Sequence, residues 1–488
     1  MNILLPILCF LAGGLMVLAF EPINWSLIGF IAPAVLLFCW LRATPAQAFW
    51  RGTLFGLGLF GFGTSWIYIS IHTFGNAPPF LAGTITAIFT VYCALFFATQ
   101  GLVFALIGRR KKDYVKCLLL FPFTWVIWEW LRSLLFTGFP WLILGYSQTS
   151  TILNGYAPIL SVYGISLIMT LISGAVMLML LENNFKLKIT SAAVIVFAIA
   201  IAVPLHYVRW THVESKPITI AMVQGNVPQS LKWTSSEAVK TIRKYATAVP
   251  DWRYDLIIWP EGSIPVLTTN AKSILTQLNE VANLHKTAII FGIPAASQDL
   301  TKFFNAIMVV GKGQGIYYKR HLVPFGEYTP LGSIFGKIMD YFQVPMSNLS
   351  PGPKKQPHLT AQNLNIAPFI CYEVAYPHMV IPNSRNSQLL ITINDDSWFG
   401  NSLASSQQLQ MAQMRSIETQ RYMLYNSNTG ITAIINPKGQ IVKQAPENQF
   451  YVLTGVVYPV VGNTPIMTYG FYPLIILLVI GLILGIVL

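Results

Sequence analysis

Charge is what this sequence lacks most. Of its 488 residues only 31 are Lys or Arg and 18 are Asp or Glu, against roughly 120 charged residues in an average soluble chain of that length. A hydrophobic fraction of 54% and a mean hydropathy of +0.56 point the same way. Together they exclude a disordered chain and an ordinary cytosolic enzyme. Cysteine is scarce too. There are five, and Cys9, Cys39, Cys93 and Cys117 lie in or at the ends of apolar runs, which excludes a secreted disulfide scaffold. Internal repeats, low-complexity stretches, a phosphate-binding loop and a His/Cys cluster at zinc spacing are absent as well. No nucleotide or metal cofactor is therefore expected. The seven histidines (His72, His206, His212, His285, His321, His358 and His378) are scattered and read as structural or surface residues.

What is there is unevenly spread. Residues 211–465 hold 20 basic and 14 acidic residues, whereas the rest of the chain holds 11 and 4, and the last 23 residues hold none. This divides the chain into a membrane domain (1–210), an exterior globular domain (211–465) and a terminal anchor (466–488). The formal net charge of +13 is shared between both kinds of region, so no nucleic-acid partner is implied.

Apolar runs long enough to cross about 30 Å of hydrocarbon as helices recur eight times, near 3–20, 24–41, 53–71, 80–107, 117–136, 155–181, 189–208 and 469–488. The first is expected to be a span rather than a cleaved signal, because Met1-Asn2 offers no basic segment and a second run follows closely. Basic residues cluster in alternate connections: Arg42 and Arg51; Arg109, Arg110, Lys111, Lys112 and Lys116; Lys186 and Lys188. By the positive-inside rule these loops are cytoplasmic. Both termini are then cytoplasmic and 211–465 lies outside.

Within 211–465, short β-branched runs alternate with polar helical stretches. Strands are expected at 218–223, 255–259, 287–293, 306–310, 364–371, 388–393 and 431–435, with helices at 235–249, 271–284 and 407–423. Asn436-Pro437-Lys438-Gly439 reads as a turn between two strands, and Pro351 to Pro357 as an exposed loop. The pattern predicts a layered α/β or α+β sandwich with buried sheets.

Chemistry-bearing residues sit where strands end. Glu261 follows 255–259, Lys319 follows the strand at 306–310 and a turn, and Cys371 closes 364–370. A lone thiol in an oxidising compartment is either an inert buried residue or a chosen nucleophile, and its neighbours decide. A Lys cation lowers a thiol pKa, a Glu can take its proton, and an ammonium can face a developing oxyanion. Spacing along the chain does not bring the three together by itself.

Trp259-Pro260-Glu261, Tyr318-Lys319-Arg320-His321-Leu322-Val323-Pro324-Phe325-Gly326-Glu327-Tyr328 and Ile370-Cys371-Tyr372-Glu373 resemble the Glu-Lys-Cys motifs of the nitrilase superfamily. With the eight runs, Gly225-Asn226-Val227-Pro228-Gln229, Gly138-Phe139-Pro140-Trp141 and Trp398-Phe399-Gly400, the whole chain resembles the bacterial apolipoprotein N-acyltransferases. The resemblance implies eight transmembrane helices plus an extracytoplasmic nitrilase-like αββα sandwich domain on the periplasmic face of the inner membrane. It implies ping-pong transfer of a fatty acyl chain from a phospholipid, phosphatidylethanolamine, through a Cys371 thioester. The acceptor is the α-amine of the N-terminal S-diacylglyceryl cysteine of a lipoprotein. In that scheme Glu261 is general base and later proton donor, Lys319 stabilises the oxyanion, and Glu327 orients Lys319. Tyr372 and Glu373 flank the nucleophile, and Trp233 matches an aromatic near the site.

Two further features suit a lipid substrate. Leu331, Ile334, Phe335, Ile338, Met339 and Phe342 form an apolar stripe at helical spacing, either a core-facing helix or an arm dipping into the bilayer. Thr137 to Gln148, with Phe139 and Trp141, reads either as a path for acyl chains or as an interfacial aromatic belt. Glu129 and Arg132, three apart at membrane depth, are expected to pair with each other.

The chain departs from the family pattern in three places. Asp395 stands where Asn is usual, Gln408 replaces the His of a Gln-His pair, and Tyr425 occupies a position often Arg. Two rival readings remain. A membrane-tethered amidase would use water in place of the amine. A transporter with an accessory exterior domain would need broken helices or polar residues in matching halves, and no internal repeat supports it.

Overall fold

The computed structural model describes residues 4–214, 216–232, 234–328 and 348–488. Trp233, Phe335 and Phe342, with the rest of the 331–342 stripe, lie outside the described residues. The chain forms two compact units. One comprises the chain up to Tyr68, Pro78–Arg209 and Thr464–Leu488; the other comprises Ile69–Ala77 and Trp210–Asn463.

The first unit is helical. Pro79–Gly108, Asp113–Arg132, Ile152–Leu181 and Phe185–Tyr207 are long and apolar enough to cross a membrane, and Pro45–Gly63 makes a fifth only if it forms one span with Trp66–Phe74, whose residues from Ile69 on group with the second unit. The apolar helices Leu4–Ala19, Ile28–Trp40 and Tyr472–Val487 are shorter. With no hydrophobic drive between helices in lipid, close contact must come from small residues. Gly52 and Gly56 supply it: a Cβ on either would fall within 3 Å of Phe97 or Ala94 of the facing helix.

Glu129 and Arg132 do not pair as expected. Arg132 Nη1 donates to the carbonyls of Phe139 and Trp141, at 2.6 Å each. Glu129 Oε1 accepts from Trp125 Nε1 at 3.0 Å and from the Leu144 amide at 2.8 Å. The stretch that follows this helix is irregular, and its backbone groups need partners in an apolar setting. The two charges supply those partners.

The second unit is a sandwich. One sheet has six strands in the order Tyr451–Val457, Ile218–Gln224, Leu256–Ile258, Ala288–Ala296, Phe303–Gly311, Ile316–Tyr318. The other has seven, in the order Ile441–Gln444, Ala433–Ile435, Met423–Ser427, Leu389–Asn394, Leu364–Ile370, Leu359–Ala361, Gly313–Gln314. Alternate residues of a strand face opposite sides. Accordingly Ile220, Met222, Leu256 and Ile258 of the first sheet share one buried cluster with Ile366, Ile370, Ile391 and Ile393 of the second. Their neighbours Ala221, Val223, Ile257 and Trp259 pack outward on Ile242 and Tyr245 of helix Ser235–Thr247 and Leu278 and Ala282 of helix Lys272–Leu284. On the other side Ala367, Phe369, Leu390 and Tyr425 pack on Leu409 and Ala412 of helix Ala404–Thr419. The layers therefore run helix, sheet, sheet, helix. Both faces of the central strands are covered, which is why those strands read as continuous apolar runs.

The central strands pair in parallel: Ile218–Gln224 with Leu256–Ile258 and Ala288–Ala296, and Leu364–Ile370 with Leu389–Asn394 and Met423–Ser427. Parallel neighbours end at the same edge of their sheet, and such edges are where ligand crevices form. One expected element needs correction. The helix placed at 407–423 ends at Thr419, because Gln420 takes a left-handed conformation (φ 47°). Met423 already belongs to a buried strand. The turn at Asn436 is as read, with Asn436 Oδ1 accepting from the Lys438 and Gln440 amides.

Candidate active site

Three strand ends deliver the expected residues. Leu256–Ile258 runs into Trp259-Pro260-Glu261, Ile316–Tyr318 into Lys319, and Leu364–Ile370 into Cys371. Cys371 opens a 3-10 turn, Cys371–Ala375, with φ 54°. A non-glycine residue in the left-handed region is strained, and surrounding structure must hold it there. A strained strand-to-helix turn of this kind lifts a nucleophile clear of its own backbone.

Lys319 is 1% exposed and its ammonium sits between two carboxylates, 2.8 Å from Glu327 Oε1 and 3.9 Å from Glu261 Oε1. Burial works against the charged form of Lys319, but Glu327, Glu261 and Cys371 outweigh it and hold its pKa well above the ordinary lysine range. Glu261 is likewise pushed up from the ordinary carboxylate range. Burial raises its pKa, assisted by Glu327 and opposed by Lys319 and the Asn305 hydrogen bond. Burial likewise pushes the Cys371 thiol well up, Glu261 adds to the rise, and Lys319 opposes it. The four groups thus act on one another electrostatically.

Glu373 is fully buried and ties two of the strand ends together. Its carboxylate accepts from the Ile370 amide (2.9 Å) on the cysteine side and from the Arg320 (2.7 Å) and His321 (3.1 Å) amides on the lysine side. Tyr317 OH donates to the same carboxylate at 3.0 Å. Each backbone donor left unmet in such a place would cost about 1–3 kcal/mol. Tyr372 OH accepts from Tyr376 OH at 2.8 Å, and the His321 ring packs 3.9 Å from that of Tyr376.

Trp141 belongs to the helical unit, where it is fully buried against Phe139 and Trp66, with ring centroids 5.8 and 5.1 Å away.

Other residues that build the site were not singled out from sequence. Asn305 Nδ2 donates to Glu261 Oε1 at 2.6 Å and to Glu327 Oε1 at 3.2 Å, bridging both carboxylates. Its signal was one amide in the apolar strand Phe303–Gly311. Gln356, in the 351–357 loop, accepts from the Tyr318 amide and donates to its carbonyl, at 2.8 and 2.7 Å, just before Lys319. Gly292 makes room for the Glu261 loop: a Cβ there would sit 2.7 Å from Glu261 Cα. Among the described residues, no group of three or more His, Cys, Asp and Glu could hold a metal ion.

Comparison with known proteins meets this geometry at both units. The family description "Apolipoprotein N-acyltransferase N-terminal domain" matches residues 12–175, and "Carbon-nitrogen hydrolase" matches 219–461. An apolipoprotein N-acyltransferase of Coxiella burnetii is 46% identical over 479 residues, spanning 98% of this chain and 99% of that protein. The chain belongs to the apolipoprotein N-acyltransferase family. Relatives of the same name from Pseudomonas aeruginosa (38% identical, covering 96% of this chain and 93% of theirs) and Methylococcus capsulatus (36%, covering 95% and 92%) agree over nearly the whole length. The three departures from the family pattern surround the end of strand Leu389–Asn394. Asp395 binds Lys232, Gln408 Nε2 donates to Asn394 Oδ1 at 3.2 Å, and Tyr425 is buried. None replaces Glu261, Lys319 or Cys371.

Proposed function

We propose that this membrane protein, an acyltransferase of lipoprotein maturation, works through a Cys371 thioester with Glu261 and Lys319 as its acid–base and oxyanion-binding groups. The observation that carries the reading is the buried Lys319 ammonium held between Glu327 and Glu261, electrostatically coupled to a thiol on a strained turn.

In the first step Glu261 takes the Cys371 proton as Sγ attacks an ester carbonyl of a phospholipid. The C–S bond forms and the carbonyl oxygen becomes an oxyanion facing Lys319. Collapse breaks the ester C–O bond, and Glu261 returns the proton to the departing alkoxide, giving a thioester and a lysophospholipid. In the second step the α-amine of an S-diacylglyceryl cysteine attacks the thioester carbonyl and loses a proton to Glu261. The C–N bond forms, the C–S bond breaks, and Glu261 returns the proton to the departing thiolate, restoring the thiol. Amide formation from a thioester is downhill, so the two substrates suffice. Glu327 holds Lys319, Glu373 and Tyr372 hold the nucleophile's turn, and Trp233, Trp141, Phe335 and Phe342 are the proposed supporting or substrate-binding residues.

We assign 1–210 and 466–488 to the bacterial inner membrane as eight spans with cytoplasmic termini, and 211–465 to the periplasm. Four long apolar helices, one bent pair and three shorter apolar helices support that number, and the alternation of basic loops supports that orientation. Phosphatidylethanolamine is the proposed donor.

The test is a product analysis in detergent micelles with phospholipid and an S-diacylglyceryl lipopeptide. The expected products are a lipopeptide heavier by one amide-linked acyl chain and an equimolar lysophospholipid. Release of free fatty acid alone would identify a hydrolase and overturn the reading.

A further inference from the structure

Lys232 takes no part in the steps above, yet it is buried to 2% side-chain exposure. Its ammonium donates to Asp395 Oδ2 at 2.5 Å and to the backbone carbonyl of Glu261 at 2.7 Å. Asp395 is itself held from the other side: its Oδ1 accepts from Ser397 Oγ at 2.6 Å and from Asn428 Nδ2 at 3.2 Å. Asn428 in turn accepts from the Val227 amide (3.0 Å) and Tyr245 OH (3.0 Å), and donates to the Val227 carbonyl (2.9 Å). This chain of bonds joins the segments after four parallel strands, and its last link is the main chain of the general base.

We propose that the Lys232–Asp395 pair is a positioning device that sets the place of Glu261 relative to Cys371, an inference that rests on the acyl-transfer reading above. Glu261 is then fixed at three points. Asn305 holds its carboxylate, Gly292 lies against its Cα, and Lys232 holds its carbonyl. Gly262 follows at φ 61°, where glycine has no Cβ to restrict the backbone, so the anchor on the preceding carbonyl bears on where the loop sits. A buried ion pair adds little net stability over apolar residues of similar size, whereas removing one partner strands a buried charge. That asymmetry separates a positioning role from a structural one.

The experiment compares wild type, Lys232→Met and Lys232→Met/Asp395→Asn as full-length protein in micelles. It measures Tm, the rate and KM of phospholipid-dependent Cys371 acylation, and the pH profile of Cys371 alkylation by iodoacetamide. The single variant, with Asp395 buried and unpaired, is expected to lose Tm and labelling together. The double variant is expected to regain Tm but to acylate on the order of 10²-fold more slowly, the loss typical of a misplaced catalytic group. KM stays unchanged and the alkylation profile is displaced from that of wild type. A double variant with the wild-type rate and profile would overturn the proposal and leave Lys232 a charge partner only. Should the double variant stay unstable, the profile is read on folded protein at low temperature and decides alone. Wild-type protein that takes no acyl label would refute the acyl-transfer reading, while the alkylation profile still reports on Lys232.

Discussion

At the scale of single residues, two carboxylates share one buried ammonium at unequal distances. Glu327 lies 2.8 Å from the Lys319 ammonium, whereas Glu261 lies 3.9 Å away and is kept basic by burial. In the proposed mechanism Glu261 must be ionised to take the thiol proton, so acylation is expected to fall as pH drops through its pKa. The sign for stability is opposite. A folded-state pKa above the unfolded value means that the folded protein binds the proton more tightly, and stability falls as pH rises through that value. The acid limb of the acylation rate is therefore predicted to lie above the ordinary glutamate value of 4.5, as a property of the coupled Glu261, Glu327 and Lys319 cluster. A pH–rate series in micelles checks this, and a limb at or below the ordinary value would contradict it. Glu261, Lys319 and Cys371 were legible in the sequence because each closes a strand inside a recognisable motif. Asn305 and Lys232 were not, because their roles exist only through contacts 44 and 29 residues away from them in the chain.

At the scale of elements, what matters is how closely strand ends approach. Strand Ala288–Ala296 carries Gly292 directly against the Glu261 loop, and the Ile264 amide donates to the Gly292 carbonyl at 3.1 Å. Gly292→Ala puts a methyl within 2.7 Å of Glu261 Cα, so the loop must move. Acylation is predicted to drop at least about tenfold, since small misplacements of catalytic groups are costly. Stability is predicted to fall by an overpacking penalty of about 1–3 kcal/mol, read as a lower Tm. An unchanged acylation rate in this variant would show that the loop is not tightly held. Element types were readable wherever apolar runs were long and β-branched. The helix end at Gln420 was missed because a left-handed cap formed by a glutamine has no composition signal, and Glu129 with Arg132 looked like a pair because helical spacing says nothing of the loop that recruits both.

At the scale of the whole molecule, the chain alternates between two solvents. The sandwich keeps its apolar residues between and outside two sheets, while the helical unit leaves Leu4, Leu180, Val196 and Ile476 exposed, as a lipid-facing surface requires. The expected division, at 210/211 and 465/466, was legible from charge density alone. The short segment Ile69–Ala77 was not: it groups with the sandwich, where Ser70 Oγ donates to the Trp398 carbonyl at 2.6 Å. The proposed orientation predicts that a cysteine introduced by Lys438→Cys, at the tip of an exposed turn, reacts with a membrane-impermeant maleimide in spheroplasts. Reaction only after the membrane is broken would place the sandwich on the cytoplasmic side.

The most direct test of the central claim supplies radiolabelled phospholipid and no acceptor. Wild-type protein is predicted to hold a covalent acyl label that neutral hydroxylamine removes, and both Cys371→Ala and Cys371→Ser to hold no hydroxylamine-labile label. Equal hydroxylamine-labile labelling of Cys371→Ala would contradict the thioester and the account built on it.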